Sequence, residues 1–153
     1  MSAELLFRIE HMTLLALVIV AAVALIVVLR LLGRRSVAPQ ASQTLQGDGG
    51  YDYPVAGADD HQAVLGRIAG RHVPAEGTDC TAELLPDISR AGELRAIWVT
   101  VEGARIGHIA PLEVPHFNAA LDGRAARCEA VVVASKVGRL SVKLDTVWPP
   151  RLD

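Results

Sequence analysis

The stretch RAIWVTVEGARIGHIAPLEVPHFNAAL, residues 95–121, decides the fold class. Its first half alternates apolar with other residues, so that Ile97, Val99 and Val101 share one face of a predicted strand. Gly103 then turns the chain into a second predicted strand. The last third has apolar residues at helical spacing, which predicts a short helix. Two strands and a helix within so short a stretch are typical of a small α+β domain.

The residues around this stretch extend the same pattern. Strands are predicted over 80–85, 96–102, 104–110, 127–135 and 140–147, and short helices over 59–70 and 111–121. Together they predict an α+β domain over residues 54–150. We expect a small five- to six-stranded, partly open β-barrel with two short helices.

The N-terminal part has a different composition. Residues 14–32 contain 14 Leu, Ile or Val and 4 Ala, which predicts a transmembrane helix over 13–32, after a short N-terminal segment 1–12 and in contact with a lipid bilayer. Because Arg30, Arg34 and Arg35 follow it, we expect a single-pass protein of the inner (cytoplasmic) membrane with its C-terminal domain in the cytoplasm. Residues 33–53 are rich in Gly, Ser and Gln, which predicts a flexible linker.

The successive blocks HQAVLGRIAG, CTAELLPD, WVTVEGARIGHIAP, FNAALD, ARCEAVVV and LSVKLD resemble those of a HIRAN domain, a small β-barrel module. The resemblance covers residues 55–144 and implies DNA binding, by capture of a single-stranded 3′ end in a pocket. In that family the loop between the first two strand blocks carries an aromatic residue that stacks on a base and a carboxylate for the terminal hydroxyl. Here the same offset holds residues 90–96, where Gly92 replaces the aromatic residue and Glu93 keeps a carboxylate.

The resemblance also suggests which other residues would contact DNA. Arg90 and Arg95 would meet phosphates, and His61 and His108 stand where the family often has tyrosine. The candidate nucleic-acid-binding residues are therefore His61, Arg90, Glu93, Arg95 and His108.

The charge balance favours a different function. Residues 61–153 carry 11 acidic and 11 basic residues, whereas phosphate neutralisation dominates non-specific DNA affinity. The alternative is a non-catalytic protein-interaction scaffold that recruits a partner to the membrane and whose nucleic-acid pocket has degenerated. A continuous positive groove at Arg90 and Arg95 would favour DNA, and an apolar patch around Trp98 would favour a protein partner.

No pattern in the sequence indicates an enzyme. Cys80, Cys128 and the five histidines lack the paired spacings of zinc sites. Strand parity predicts that both cysteines are buried thiols, although a catalytic Cys–His pair stays open as a minor alternative. We therefore expect no catalytic residues, no metal and no cofactor. The sequence gives no indication of the oligomeric state.

Overall fold

The structure is a computed structural model that describes the backbone of residues 3–33 and 41–153, and the side chains of residues 12–28 and 41–153. The chain divides into two compact units, Met1–Ala38 and Pro39–Asp153. The described part of the first unit is the helix α1 (Ala3–Gly33). The second contains every strand described below.

The transmembrane part of the predicted fold is corrected by the structure. Within the described residues, no helix is both long enough and apolar enough to cross a membrane, so the predicted transmembrane helix over 13–32 is wrong. The predicted location of the chain is not tested by this finding and stays a prediction. The side chains of Arg30, Arg34 and Arg35, on which the predicted orientation rests, lie outside the described residues.

The second unit is a mixed α+β domain built on one sheet of seven strands. The strands are β1 (Gln43–Thr44), β2 (Tyr53–Pro54), β3 (Thr78–Ile88), β4 (Leu94–Val101), β5 (Ala104–His108), β6 (Ala126–Ala134) and β7 (Leu140–Leu144). Their order across the sheet is β2-β7-β6-β3-β4-β5. Neighbours on this path are antiparallel, and β1 pairs parallel with β6.

The sheet curls into a half-barrel, and one short segment after β2 bridges its two ends. The Val55 N–H donates to the Val142 carbonyl on β7 at 2.9 Å. Ala56 and His108 on β5 exchange two backbone hydrogen bonds, each 2.9 Å long. Gly107 permits this close approach, because a Cβ at that position would overlap the Ala56 carbonyl oxygen. The predicted α+β class and barrel-like curl are therefore confirmed at this coarse level. The predicted number of strands, five to six, is wrong, because the sheet of the described residues also contains the two-residue strands β1 and β2.

Two helices and a 3₁₀ turn accompany the sheet. The turn spans Ala58–His61 and leads into α2 (Gln62–Ala69), and α3 (Val114–Leu121) connects β5 to β6. The core contains Leu65 of α2 and Phe117 and Leu121 of α3, all fully buried. The inward-facing residues of β4 join them, as their alternation predicts.

Residues 41–53, for which the composition predicts part of a linker, belong to the folded unit. Leu45 and Ala41 are buried, and Leu45 forms an isolated antiparallel bridge with Leu152. A strand of two residues is too short to show the alternation by which a strand is recognised in sequence. The rest of the predicted linker, residues 34–40, lies outside the described residues.

Candidate functional site

Three of the predicted site residues lie at one end of the β3–β4 hairpin. Arg90, Glu93 and Arg95 are exposed there. The turn is closed by hydrogen bonds from the Ser89 N–H to the Glu93 carbonyl and from the Gly92 N–H to the Ser89 carbonyl. Gly92 has φ of +83°, a left-handed conformation that favours glycine. A stacking tyrosine at this position would be strained.

The two predicted histidines lie elsewhere. His61 ends the 3₁₀ turn, and His108 ends β5, where its ring packs edge-on against Trp98 at 5.9 Å between centroids. His108 pairs with Trp98 across the strands, and Trp98 is three residues from Arg95, roughly 10 Å along β4. None of the five residues lines any of the three cavities described below. The structure therefore does not bring them together in any of these three cavities.

A cavity of about 350 Å³ opens at a different place. One wall is formed by β2 and the residue before it, a second by the turn between β5 and α3, and a third by the segment after β7. The lining residues are Asp52, Tyr53, Pro54, Ala110, Glu113, Thr146 and Trp148. We call this cavity the Tyr53–Trp148 pocket.

Aromatic rings form the base of the Tyr53–Trp148 pocket. The rings of Tyr53 and Trp148 are nearly parallel, with 5° between their planes and 6.5 Å between their centroids. The buried Phe117 ring meets both of them edge-on, at 5.0 Å from Tyr53 and 6.4 Å from Trp148. Trp148 is 56% exposed, although it rests on two buried rings and meets the His116 ring edge-on at 5.2 Å between centroids. A large aromatic face is thus held in place and open to solvent.

The polar groups of the pocket are acidic or neutral. The Ala110 N–H donates to the Tyr53 hydroxyl at 3.4 Å. Burial raises the pKa of Tyr53 well above its usual value, a hydrogen bond to the Glu113 carboxylate raises it further, and the Ala110 amide opposes these effects. Tyr53 is therefore a neutral phenol at physiological pH. Asp52 and Glu113 are the charged residues in the lining, and no Lys or Arg of the described residues lines this pocket.

Asp145 connects two walls of the pocket. Its buried carboxylate accepts hydrogen bonds from the backbone N–H groups of Asp48 and Gly49, at 3.0 and 2.8 Å. A side chain at Gly47 would collide with this carboxylate. The segment that leads into Asp52 and Tyr53 is thereby tied to the segment that leads into Trp148. The Val147 N–H, which donates to the Gln46 carbonyl at 2.9 Å, strengthens the same connection.

Two further cavities lie on other faces of the domain. A cavity of about 440 Å³ is lined by Gly50, Tyr51, Glu76, Asp79, Val131, Val133 and Lys143. A cavity of about 210 Å³ is lined by Val64, Arg67, Ile68, Val101, Glu102 and Ala104. Neither contains an exposed aromatic face comparable to that of Trp148.

The other tryptophan, Trp98, is covered by side chains of the domain itself. The Arg105 guanidinium carbon lies 3.7 Å from the centroid of the Trp98 ring, which is a cation–π contact. The Trp98 indole N–H donates to Asp87 Oδ2 at 3.4 Å. The surface around Trp98 is therefore not an open apolar patch.

The two cysteines differ in burial, because Cys128 is buried as predicted whereas Cys80 is only partly buried. Burial raises the pKa of the Cys128 thiol to about 12 and that of Cys80 to about 11, with nearby carboxylates adding to both shifts. The Cys128 thiol donates to the Asp145 carbonyl at 3.2 Å. Both cysteines are free thiols, and no group of three or more His, Cys, Asp or Glu within the described residues could hold a metal ion. The expectation that the chain is not an enzyme stays a prediction.

The residues of the Tyr53–Trp148 pocket were not among those predicted from sequence. Tyr53 falls in the predicted linker, and Trp148 lies beside two prolines after the last predicted strand. The one signal in the sequence that points to these residues is the small number of aromatic side chains, because the chain has only two Trp, two Tyr and two Phe. Three of these six rings meet at the base of one pocket.

Comparisons with protein-family models, with curated proteins and with solved structures found no match to this chain. The resemblance to a HIRAN domain is therefore not tested and stays a prediction.

Proposed function

We propose that the second unit is a non-catalytic binding module that docks a segment of a protein partner at the Tyr53–Trp148 pocket. The observation that carries this proposal is the exposed Trp148 ring, held on the buried rings of Tyr53 and Phe117. Aromatic side chains that are both rigid and exposed are typical anchors of protein interfaces. Leu112, in the same turn as Glu113, is 91% exposed and extends the apolar surface beside the pocket.

The charges around the pocket favour a protein partner over a nucleic acid. A phosphate entering the pocket would approach Asp52 and Glu113 without a Lys or Arg in the lining to neutralise it. The domain as a whole has no excess of positive charge. Stacking on Trp148 alone would supply about 1–3 kcal/mol per base, which is small without phosphate contacts.

Single-stranded DNA is the second candidate, and one specific observation favours it. Arg90 and Arg95 are both exposed at the same hairpin turn as Glu93, so two cations and a carboxylate lie close together in the chain. These are the residues to which the resemblance to a HIRAN domain assigns contacts with phosphates and with the terminal hydroxyl. Binding there would depend on the hairpin turn and not on Trp148.

Selection of peptides on the purified full chain tests the proposal. A phage-displayed library of random heptapeptides is first depleted on the Trp148→Ala variant and then selected on the wild-type chain. We expect enriched peptides that bind the wild type and bind at least about tenfold more weakly to Trp148→Ala. A nonionic detergent is kept in every arm, because the exposed apolar side chains between Met12 and Val28 would otherwise retain peptides.

The same purified protein is used to test the second candidate, binding of single-stranded DNA. A fluorescent dT₁₀ oligonucleotide with a free or blocked 3′ end is titrated onto the wild type, onto Trp148→Ala and onto Arg90→Ala. End-dependent binding that is lost only in Arg90→Ala, together with no enriched peptide, would replace our proposal by DNA-end binding. Glu76→Gln, which removes a carboxylate from a different cavity, is the matched control and should leave every result unchanged.

A further inference from the structure

We infer that the group that enters the Tyr53–Trp148 pocket is the guanidinium of an arginine side chain supplied by the partner segment. This inference rests on the proposed function and goes further by naming the chemistry of the anchor residue. It depends on three features of the described residues: the charge of the pocket, the orientation of its rings and the surroundings of the other tryptophan.

The first feature is an unbalanced charge. Asp52 is exposed and Glu113 is half-buried, and both line the pocket. Neither of them forms an ion pair within the described residues. A positively charged ligand would therefore meet two carboxylates without having to displace a cation of the domain. Charge-assisted hydrogen bonds to carboxylates are among the stronger polar contacts in proteins.

The second feature is the orientation of the rings. The ring planes of Tyr53 and Trp148 are nearly parallel, both residues line the same cavity, and Trp148 is the more exposed of the two. The guanidinium group is planar, stacks on aromatic faces and donates hydrogen bonds in a fixed fork, whereas an ammonium group is a more strongly hydrated point charge. A flat cation can stack on Trp148 while its edge N–H groups donate to Glu113. The pocket thus suits arginine better than lysine.

The third feature is the set of groups around the other tryptophan of the same domain. At Trp98 the domain combines an indole ring, a neighbouring carboxylate from Asp87 and the guanidinium of Arg105, 3.7 Å from the ring centroid. At Trp148 the ring and the carboxylates are present, and the exposed His116 ring meets the indole edge-on, but no arginine of the described residues stacks on the ring. The group that is present at Trp98 and absent at Trp148 is a guanidinium. An arginine side chain of the partner would supply it.

Defined peptides test this inference on the full chain in the same detergent. The probes are Ac-GSGXGSG-NH₂ peptides in which X is arginine, lysine, norleucine or glutamate. The Trp98→Phe variant makes Trp148 the sole tryptophan, so that its fluorescence reports on the pocket alone. We expect saturable changes with the arginine peptide, weaker changes with lysine, and none with norleucine or glutamate. Glu113→Gln should lower the affinity for the arginine peptide about five- to tenfold and Trp148→Ala about tenfold or more, the latter measured by calorimetry. Glu76→Gln should leave the affinity unchanged.

The outcomes separate this inference from the proposed function. Equal binding of the arginine and norleucine peptides, or a preference for glutamate, would overturn the arginine anchor while leaving peptide docking in place. Failure of all four probes, when peptides selected from the library do bind in a Trp148-dependent way, would likewise overturn the arginine anchor alone. Failure of the probes and of the library selection together would overturn both.

Discussion

The two tryptophans of this domain have opposite surroundings. Trp98 is half-buried, lies under Arg105 and donates its indole N–H to Asp87. Trp148 is more than half exposed and has carboxylates near it, but none of the described arginines stacks on its ring. A tryptophan whose ring and N–H are contacted by side chains of its own domain contributes to the fold. A tryptophan that is held in place by packing but has an exposed ring is available to another protein.

The two rings also differ in how they are held. Trp98 lies on a long strand and is fixed by the backbone pairing of β3, β4 and β5. Trp148 follows the last strand, and its position depends on side-chain packing against Phe117 and on the loop that Asp145 ties down. Substitutions beneath Trp148 should therefore affect the pocket while leaving the Trp98 environment unchanged.

The largest expected effect is that of Phe117→Ala. This ring is fully buried and supports both Tyr53 and Trp148. Its removal should lower the free energy of unfolding by about 3–5 kcal/mol, measured by urea denaturation. In the Trp98→Phe background the emission of Trp148 should shift to the red, whereas in the Trp148→Phe background that of Trp98 should not. Equal shifts of both tryptophans would contradict the separation of the two environments.

The next largest effect should come from Asp145→Ala. The substitution leaves the N–H groups of Asp48 and Gly49 without their acceptor, which should cost about 1–3 kcal/mol of unfolding free energy. Because the loop also carries Asp52 and Tyr53, the affinity for the arginine peptide should fall as well. Asp145→Asn keeps an acceptor oxygen at the same position and should lose less of both. Equal losses for alanine and asparagine would show that the hydrogen bonds do not hold the loop.

The five longer strands of the domain were predictable because each has a recognisable apolar pattern of its own. Ile97 and Val99 alternate with outward residues over a long strand, and both are fully buried. By contrast, β1 and β2 have two residues each, and their pairing with β6 and β7 comes from residues far away in the sequence. A local pattern contains no information about such pairs.

The pocket was not predictable for the same reason. Tyr53 and Trp148 are separated by most of the domain in sequence and meet only because Asp145 and Phe117 position their segments. The contact between Trp98 and His108 depends on a bulge between Val99 and Thr100, which shifts the pairing of β5 by one residue. Counted from the turn at Gly103, simple alternation would place Gly107 opposite Trp98, whereas the bulge places His108 there. No feature of the sequence alone indicated that bulge.

A smaller effect on stability is expected for Arg105→Gln, which would leave the Trp98 ring without its guanidinium cover and so more like Trp148. The loss of one cation–π contact at an exposed arginine should lower the free energy of unfolding by about 0.5–1 kcal/mol. Trp98 would then have an open face beside Asp87. In the Trp148→Phe background its fluorescence should begin to respond to millimolar ethylguanidinium and not to ethylammonium. A response already present before the Arg105 substitution would contradict the view that Arg105 covers the ring.

The smallest effect on stability should come from Arg90→Ala and Arg95→Ala at the β3–β4 turn. Both side chains are exposed, so the free energy of unfolding should change by less than about 0.5 kcal/mol. Because neither residue lines the Tyr53–Trp148 pocket, the affinity for the arginine peptide should stay within about twofold of that of the wild type. Thermal denaturation and calorimetry measure the two quantities on the same samples. A large loss of peptide affinity in either variant would mean that the binding surface extends to the hairpin turn. The exposure of Trp148, compared with the covered Trp98, would then not be sufficient to identify the binding site.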